Sequence, residues 1–541
     1  MTKTMPWGAA LLAGALVWAG AASADDNKMT PQLLERASTG AVSVVVEMRD
    51  QADLSGAAAI RDKAAKGAFV VSRLKTHAQS TQAPVRSVLE AAGVSYQSYW
   101  LANVVHLDAA APVLRQLAAL PGVAAIHAVA KPDFSQAPAP MTPKDEDELE
   151  MSIEPGIQLV GAPAVWDLGI RGQGVVVGDH DIGVEWEHPA LIRQYRGWDG
   201  LNADHSYNWH NAFGALDPFC SDPAVPCDSH GHGTHTTGTM VGDDGAGMRI
   251  GMAPEAQWMA CRSLLDPVVG VGTLPTYLDC MQWFVAPYPA GEPDMADPSQ
   301  APDVINNSWG CVEACPPDIL KAANEATEAA GIVQVVSAGN DGQGEDLSCY
   351  TLLFPLAIYE SSFTVGASDF EDQMASFSSR GPVLSDLSMR TKPDVTAPGV
   401  GVLSSTIDGE YAAYSGTSMA GPHVAGLVAL LISAEPSLRG QVALIRQIIE
   451  STAIPLQTEE NCGGTAEGEK SNVFGSGRID ALAAVLAAPG MLDEASGDGN
   501  SDEPPQSGGA RGDAGVRGGG ALGLWLFSLA GFVLLGRRRR A

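Results

Sequence analysis

The sequence predicts an α/β fold whose main domain is a mostly parallel sheet with helices on both faces, preceded by a smaller α+β domain. Residues 174–191 open with the β-branched run GVVV, and residues 332–342 open with IVQVV. Such runs are typical of parallel strands that are buried on both faces. Both lead into polar residues and glycines, and the working groups of an open parallel sheet gather beyond the carboxyl ends of its strands. A functional site is therefore expected at that edge of the sheet.

The chain begins with the features of a secretory leader. Lys3 lies near the start, an apolar run extends from residue 9 to residue 22, and Ala22-Ser23-Ala24 forms a small-residue cleavage site. We expect signal peptidase to remove residues 1–24 and the protein to be exported.

Residues 25–150 are expected to form the smaller domain and a linker, with the folded part at about residues 40–131. Strand-like and helical stretches alternate here, which predicts a ferredoxin-like α+β arrangement. The strand-like stretches are residues 41–47, 102–107 and 124–130, and the helical ones are residues 83–92 and 112–119. Residues 133–155 contain several prolines and an acidic run, so they are predicted to be an exposed linker where cleavage occurs.

Ser418 lies in the segment GTSMAGPH at the start of a long apolar stretch that extends to Ile432. A serine just inside a helix N-terminus has unpaired backbone N–H groups around it and the positive end of the helix dipole beneath it, which suits a developing oxyanion. This makes Ser418 a candidate nucleophile for an acyl-enzyme. The alternative is a plain helix cap, so the interpretation depends on partner residues.

Three upstream segments supply such partners. Asp181 lies at the end of the first predicted strand, His232 lies in the glycine-rich stretch HGHGTHTTGTM, and Asn340 lies at the tip of the second strand. The order acid, histidine, serine along the chain is that of subtilisin, and it differs from the orders in chymotrypsin and the α/β-hydrolases.

These four segments resemble the subtilisin-like serine proteases (subtilases) over about residues 155–487, and the stretch PDVINNSWG at residues 302–310 resembles the bacillopeptidase F branch. The resemblance implies a secreted serine endopeptidase that acts on polypeptides, with a catalytic domain at residues 151–487. It implies that Ser418 is the nucleophile, His232 the general base and Asp181 the acid that orients the imidazole. Asn340 would be the side-chain donor of the oxyanion hole, the alternative being a turn residue in the turn-rich AGNDG.

The same resemblance implies where substrate binds. Ser308-Trp309-Gly310 resembles the strand that pairs with an extended peptide, and Gly270 and Gly272 lie in a segment that resembles the opposite edge strand. A peptide between these two strands would be held mainly by main-chain hydrogen bonds. Ser337-Ala338-Gly339 resembles one wall of the primary specificity pocket.

The floor of that pocket is expected from the segment after Asn340, which includes Cys349 and Tyr350. Trp309 is larger than the leucine common at its position in the family, so it is either a pocket wall or a core residue.

The acid position departs from the family pattern, in which Thr or Ser and then Gly follow the acid. Residues 178–183 read GDHDIG, with two acids and an isoleucine where the hydroxyl is expected. Asp179 and Asp181 are two residues apart, so strand alternation puts them on one face and does not choose between them. The spacing to Gly183 and to residues 188–191 favours Asp181, and Ile182 lacks a hydroxyl that would brace the loop.

Other functions fit the sequence less well. His230, His232 and His235 have a short spacing that could ligate zinc, but no HExxH-like helix or further ligand cluster lies nearby. Ser418 does not lie in the G-x-S-x-G motif of esterases and lipases. A catalytically silent surface-binding scaffold of the same fold would have no physical reason to keep all four site residues.

The resemblance also implies that the smaller domain is an inhibitory propeptide, which would be a partner of the catalytic domain made by the same chain. A fold dominated by nonlocal parallel pairing forms slowly, and a domain that covers the active-site face can act as its template. The alternative is a permanent binding module.

The eight cysteines all lie inside the predicted catalytic domain, as expected for four disulfides in an exported protein, although a buried reduced set is the alternative. Close spacing favours the pairs Cys220 with Cys227 and Cys311 with Cys315. The remaining cysteines are Cys261, Cys280, Cys349 and Cys462.

The C-terminal end resembles the GlyGly-CTERM type of sorting tail of Gram-negative bacteria. Residues 518–541 contain three glycines, an apolar stretch from Ala521 to Leu535 and four arginines, and this stretch is short for a stable membrane span. We expect a membrane protease to process this tail after transient anchoring in the inner membrane. Residues 488–517 are polar and acidic, which predicts a flexible spacer.

The composition excludes one class of partner. Lys and Arg total 32 against 63 Asp and Glu, which gives a formal net charge of −31. Phosphate binding requires the opposite sign, so no nucleic acid partner is expected. No cofactor is expected for the chemistry, and a structural Ca²⁺ is compatible with the acidity, but no D-x-D-x-D-G loop is present to assign its ligands.

Overall fold

The computed structural model describes residues 26–130, 153–265, 272–311, 315–342, 349–465 and 470–490. The predicted leader, nearly all of the linker, the C-terminal tail and Gly270 lie outside these ranges, as does the spacer apart from its first residues.

The smaller domain has a four-stranded antiparallel sheet, with three of its four helices packed on one face and the longest helix in the core on the other. Its strand order is β2-β3-β1-β4, which is the order of a ferredoxin-like split βαβ arrangement. The helices are α1 (Pro31–Thr39), α2 (Lys63–Thr81), α3 (Ala83–Ala92) and α4 (Ala111–Ala118), and the strands are β1 (Val42–Met48), β2 (Tyr96–Tyr99), β3 (Val104–Ala109) and β4 (Val123–Ala128).

Side chains on the two faces of this sheet belong to different cores. Val44 and Val46 pack with α3 and α4 inside the smaller domain. Val45 and Val104 point the opposite way and pack against residues of the larger domain. Alternation along each strand therefore gives the sheet one face for its own helices and one for docking.

Several boundaries differ from the sequence prediction. Helix α3 coincides with the predicted helix at residues 83–92, but α1, α2 and β2 were not predicted, and the folded region begins well before residue 40. The end of the predicted exposed linker is also wrong, because Glu154 is buried and its side chain caps the next helix by accepting from Ile157 N at 2.8 Å. Local sequence could not reveal α2 and β2 because packing against the larger domain stabilises them, whereas α1 packs in the core of the smaller domain itself.

The larger domain is built on a seven-stranded sheet in which all registered strand pairs are parallel, with the order β11-β10-β9-β8-β5-β7-β6. This confirms the predicted parallel α/β architecture. The sheet strands are β5 (Val176–Asp181), β6 (Trp209–Asn211), β7 (Gln257–Arg262), β8 (Val304–Asn307), β9 (Val333–Ser337), β10 (Phe363–Ser368) and β11 (Val395–Pro398), and β12 (Val402–Ser405) pairs with β13 (Tyr411–Tyr414) in a separate ribbon.

Helices cover both faces of the seven-stranded sheet. One face packs against α5, α6 and α10 to α12, and the other packs against α8 and α9. The helices are α5 (Pro155–Leu159), α6 (Ala162–Asp167), α7 (His232–Val241), α8 (Leu274–Val285), α9 (Pro317–Ala329), α10 (Thr417–Ala434), α11 (Val442–Thr452) and α12 (Ala481–Leu486).

Helix α10 lies at the centre of the larger domain and is almost wholly buried. It contacts α7 and strands β8 to β11. Small residues permit this close packing, because a Cβ at Gly426 would collide with the Met252 side chain. Among the described residues, α10 is the one helix long and apolar enough to cross a membrane, but its burial marks it as the core helix of a globular domain.

Four disulfides join all eight cysteines, which confirms the predicted number and the pairs Cys220–Cys227 and Cys311–Cys315. The other two bonds join residues that are far apart in the sequence or in different elements. They are Cys261–Cys280, between β7 and α8, and Cys349–Cys462.

The smaller domain docks on α8 through polar contacts at the tip of its sheet. Backbone N–H groups of Trp100 and Leu101 donate to Gln282 Oε1 at 2.8 and 3.2 Å, and Gln97 Nε2 donates to Asp279 Oδ1 at 3.1 Å. These bonds satisfy groups that the interface removes from water.

A second contact between the two domains lies at Asp303, directly before the start of β8. Lys63, the first residue of α2, has a side chain that is 11% exposed, with its Nζ 3.2 Å from Asp303 Oδ1 and 2.7 Å from the carbonyl oxygen of Ala301. Burial lowers the pKa of Lys63, whereas the Asp303 charge opposes that shift. Asp303 also has Arg439 Nε at 3.1 Å, so it forms ion pairs with both domains.

Replacing Lys63 with methionine is expected to weaken the docking of α2. The variant leaves Asp303 buried with Arg439 as its remaining cation, and we expect a loss of roughly 2 kcal/mol of stability. Hydrogen exchange of residues 63–81 and thermal unfolding measure the effect. Lys321→Met is the control, because Lys321 forms an exposed pair with Glu325 at 3.8 Å. Unchanged exchange in α2 would contradict the prediction.

Candidate active site

Ser418 lies in the first turn of α10, next to the tip of β9. Its Oγ is 3.3 Å from the carbonyl oxygen of Ser308. The preceding residue, Thr417, donates from its N and its Oγ1 to Asn340 Oδ1 at 2.9 and 3.0 Å. These two bonds fix which way the Asn340 amide faces, so its Nδ2 is turned away from Thr417.

The Asn340 amide group lies close to the backbone around the serine. A Cβ built on Gly416 would be 3.6 Å from Asn340 Nδ2 and 3.7 Å from Ser418 N. Both N–H donors therefore border the same small space beside Gly416. Two converging donors at a helix N-terminus are suited to a negatively charged oxygen.

Asp181 ends β5 and His232 begins α7, and the two side chains are directly hydrogen-bonded. His232 Nδ1 is 2.8 Å from Asp181 Oδ1 and 2.9 Å from Oδ2, and both residues are buried. A carboxylate at Nδ1 keeps the proton on that nitrogen and leaves Nε2 as the basic nitrogen of the neutral ring. Asp181 also accepts from Ile182 N at 2.7 Å.

A tight turn stabilised by Asp228 leads into His232. Asp228 Oδ1 accepts from the N–H groups of His230 and Gly231 at 2.8 and 2.9 Å, and its Oδ2 accepts from Thr234 N and Oγ1. Gly231 has φ of 104°, a conformation that favours glycine. The sequence analysis missed Asp228, although an acid just before a helix start is a recognisable capping signal. It also missed Thr417, which has no such local signal.

Asp179, the other candidate acid, lies on the same face of β5 but has different partners. Its Oδ1 accepts from Thr236 Oγ1 at 3.1 Å and from Asn306 Nδ2 at 3.3 Å. Burial, and secondarily the charge of Asp181, raise the pKa of Asp179 well above its usual range. The structure therefore brings Asp181, and not Asp179, into contact with His232.

His180 lies between the two acids in sequence and points to the other face of the sheet. Its ring nitrogens contact Ser263 Oγ at 2.7 Å and Asn307 Oδ1 at 3.2 Å. Burial lowers the pKa of His180 to about 3, so the imidazole is neutral at ordinary pH. Its ring packs edge-on against Trp309 with centroids 4.8 Å apart.

A cavity of about 200 Å³ opens beside Ser418. It is lined by most of the predicted substrate residues, namely Ser308, Trp309, Gly310, Ser337, Ala338 and Gly339, and by Asn340, Asp341, Phe354, Ala357, Thr417 and Ser418. The segment after Asn340 does contribute to the lining, through Asp341, Phe354 and Ala357. Cys349 and Tyr350 of that segment are not among the lining residues, and Cys349 is bonded to Cys462.

Trp309 is both a core residue and a wall of this cavity. It is 5% exposed and its ring stacks on Tyr277 with centroids 4.4 Å apart. Both interpretations of Trp309, as a core residue and as a pocket wall, are therefore correct, because this buried residue also borders the cavity.

A second cavity, of about 360 Å³, lies beside Gly272 and also has walls from the smaller domain. Gly272 pairs with Leu264 in an antiparallel bridge. Ala128, Val129 and Ala130, where the smaller domain leaves the described part of the chain, line this cavity together with Tyr277 and Cys311. The C-terminal end of β4 is thus aimed at the predicted substrate groove.

The imidazoles that suggested zinc have other roles. His235 Nε2 lies 3.1 Å from the carbonyl oxygens of Val402 and Ala412, and His232 is bonded to Asp181. No group of three or more potential ligands for a metal ion occurs among the residues that the structure describes. The compatibility with a structural Ca²⁺ stays a prediction.

The chain is similar to known proteases. The model of the subtilase family (peptidase S8) matches residues 172–477. Bacillopeptidase F of Bacillus subtilis is 34% identical over 455 residues, which are 81% of this chain but 30% of that protein. Subtilisin E of Bacillus subtilis is 33% identical over 306 residues, 57% of this chain and 67% of that protein. The intracellular serine protease of Paenibacillus polymyxa is 30% identical over 347 residues, 62% of this chain and 92% of that protein.

Asp179→Asn is expected to change how stability depends on pH. The native carboxyl holds its proton to a higher pH than the unfolded one, so the native state binds more protons and loses stability as the pH rises above the unfolded pKa of about 4. Asparagine does not titrate and lacks this loss. The apparent Tm of the variant minus that of the unmodified protein should therefore increase from pH 4 to pH 8. Glu371→Gln, at an exposed carboxylate, is the control, and a constant difference for Asp179→Asn would contradict the prediction.

Proposed function

The chain belongs to the subtilase family of serine endopeptidases, near the bacillopeptidase F branch, and we propose that it cleaves polypeptides through an acyl-enzyme on Ser418. The observation that carries this proposal is the bond from His232 Nδ1 to both oxygens of Asp181. His232 begins α7, and α7 packs against α10, which carries Ser418 in its first turn. No feature of this arrangement requires a cofactor for the chemistry.

The proposed reaction begins with proton transfer from Ser418 to His232. Neutral His232 accepts the hydroxyl proton at Nε2 while Oγ attacks the peptide carbonyl carbon, and Asp181 stabilises the imidazolium that forms. The imidazolium then returns its proton to the leaving amine. Water repeats the sequence on the acyl-enzyme and releases the second product. Burial of Asp181 supports this role, because a charge in a dry site acts more strongly on its partner.

We propose that Asn340 Nδ2 and Ser418 N hold the oxyanion of the tetrahedral intermediate. Their common proximity to the space beside Gly416, and the two bonds that fix the Asn340 amide, support the assignment. Donors that are already oriented need no reorganisation when the charge develops.

The substrate would lie as an added strand between residues 308–310 and the segment that contains Gly270 and Gly272. Residues 308–310 follow β8 and border the cavity at Ser418. The P1 side chain, which precedes the cleaved bond, would enter that cavity between Trp309 and the wall at Ser337, Ala338 and Gly339. Main-chain bonding would supply most of the affinity.

We propose that the smaller domain is an inhibitory propeptide. Its sheet packs on the larger domain, its tip is held by Gln282, and its last described residues line the cavity beside Gly272. A chain that continues from Ala130 into the substrate groove would block access to Ser418. Cleavage in the following linker would then release the enzyme.

Export is supported by the leader at residues 1–24 and by four disulfides, since such bonds persist in oxidising compartments. We propose that signal peptidase removes the leader and that a membrane protease processes the C-terminal tail after transient anchoring. The mature enzyme would act at the cell surface or outside the cell.

Ser418→Ala is expected to abolish hydrolysis of casein, labelling by a serine-directed phosphonate, and removal of the smaller domain. The variant lacks the nucleophile, and maturation is expected to use the same site. Ser433→Ala, near the other end of α10 and bonded to Gln173, is the matched control. A purified Ser418→Ala protein that matures and hydrolyses casein would refute the proposed function.

The two candidate acids should differ sharply in activity. Asp181→Asn can no longer hold the required tautomer of His232, so kcat should fall by about 10⁴-fold. Asp179→Asn leaves the bond to His232 in place and substitutes a neutral group of the same shape, so its kcat should change far less. Steady-state kinetics of both variants on a peptide p-nitroanilide decides between them, and the reverse ranking would reassign the acid to Asp179.

A further inference from the structure

Arg262 is a fully buried arginine at the end of β7, next to the proposed catalytic acid. Strands β5 and β7 are parallel neighbours, and Arg262 is paired in register with Asp181. Neither the Arg262 side chain nor that of its partner Asp217 is exposed. A buried guanidinium is costly to desolvate, so its position calls for several well-formed hydrogen bonds.

The Arg262 guanidinium joins three loops around the site. Its Nε is 2.6 Å from Asp217 Oδ2, its Nη1 donates to the carbonyl oxygen of Ile182, and its Nη2 is 3.3 Å from Ser229 Oγ. Ile182 follows Asp181 directly, and Ser229 lies in the turn that leads into His232. The planar fork of arginine can reach all three acceptors at once, whereas a lysine ammonium cannot reproduce that geometry.

Asp217 is itself anchored, so the pair forms a rigid support. Asn211 Nδ2 donates to Asp217 Oδ2 at 2.9 Å, and Phe219 N donates to Oδ1 at 3.0 Å. The Arg262 charge and these bonds lower the pKa of Asp217 against the effect of its burial. A charged Asp217 balances the guanidinium inside the protein.

Ile182 connects the Arg262–Asp217 pair to the proposed catalytic acid, Asp181. Its N–H donates to Asp181 Oδ1 at 2.7 Å, and its carbonyl oxygen accepts from Arg262. The next residue, Gly183, has φ of 104°, and a Cβ there would collide with the Cys227 carbonyl oxygen. The loop after Asp181 therefore has little freedom as long as Ile182 is held.

We infer that Arg262 is a positioning residue that aims the Asp181 carboxylate at His232 by fixing the carbonyl of Ile182. The inference rests on the proposed function, because it assigns a role within that catalytic site. Isoleucine has no hydroxyl with which to brace the loop, and the guanidinium supplies the brace from the neighbouring strand. Arg262 touches neither substrate nor the reacting atoms and acts through the backbone of residue 182.

A double-mutant cycle tests this role with Arg262→Lys and Asp181→Asn, each matured in trans by the unmodified enzyme. We expect Arg262→Lys to lower kcat by about 10-fold or more on a peptide p-nitroanilide, with KM nearly unchanged, because a misaimed carboxylate affects the transition state more than binding. In the Asp181→Asn background the same substitution should change kcat by less than about twofold, because the group through which it acts is gone. Equal losses in both backgrounds would overturn the inference.

Arg478→Lys is the matched control for a buried arginine. Arg478 Nε contacts Asp372 at 2.6 Å and its Nη1 donates to the Leu159 carbonyl oxygen at 2.8 Å, so it has the same kinds of partner away from the site. Its kcat, corrected for the fraction of active sites, should match that of the unmodified enzyme. A loss as large as that of Arg262→Lys would also overturn the inference, since it would reflect general packing.

A second variant covers the case in which Arg262→Lys does not fold. Asp217→Asn keeps the size of the partner and removes the charge that anchors the guanidinium, and it should show the same dependence on Asp181. Additive losses for Asp217→Asn would count against the inference. Phosphonate labelling of the unmodified enzyme tests the proposed function separately, so an active enzyme with an additive cycle refutes only the role of Arg262.

Discussion

The packing of α10 on the parallel sheet sets the geometry of the whole site. This helix carries Ser418 in its first turn, and it contacts strands β8 to β11 and helix α7, whose first residue is His232. Small residues make the close approach possible. A Cβ at Gly421 would lie 3.1 Å from Asn306 Oδ1, and one at Gly426 would collide with Met252. Because both helices are locked against a close-packed core, their N-termini have a fixed separation that no local bond at the surface could impose.

Strand β5 illustrates how one short sequence places three titratable side chains in three different environments. Asp179 and Asp181 face α7, whereas His180 faces the opposite side and packs on Trp309. Burial keeps His180 neutral and raises the pKa of Asp179. Asp181 has the imidazole of His232 and the backbone N–H of Ile182 as hydrogen-bond partners. Strand alternation determines the face of the sheet on which each side chain lies, and the neighbouring elements determine its hydrogen-bond partners.

The smaller domain uses a single sheet for two purposes. Val44 and Val46 form its own core, and Val45 and Val104 pack on the larger domain. The contacts at Gln282 and Asp303 involve different elements of both domains, so the domain is held at more than one place. This arrangement fits a domain that remains docked while its C-terminal strand points at the groove.

The sequence by itself determined the parallel α/β class and two of the disulfides, which depend on local patterns: buried β-branched runs, and cysteines only a few residues apart. Its resemblance to the subtilases selected Asp181, His232, Ser418 and Asn340 as the candidate catalytic residues. The sequence also favoured Asp181 over Asp179 from spacing alone, and the bond to His232 agrees with that choice.

Only the tertiary structure decided the features that join distant segments. Helix α2 and strand β2 escaped prediction because contacts with α8, α9 and their neighbours stabilise them. The cavity floor at Phe354 and Ala357, the bond Cys349–Cys462, and the bridge from Arg262 to the loop after Asp181 likewise join residues far apart in the chain. A local sequence pattern indicates which side chains lie on the same face of one helix or strand. It does not indicate which distant segment packs against that face in the folded protein. The neighbouring segment determines the hydrogen-bond partners, and therefore the role, of each buried polar group.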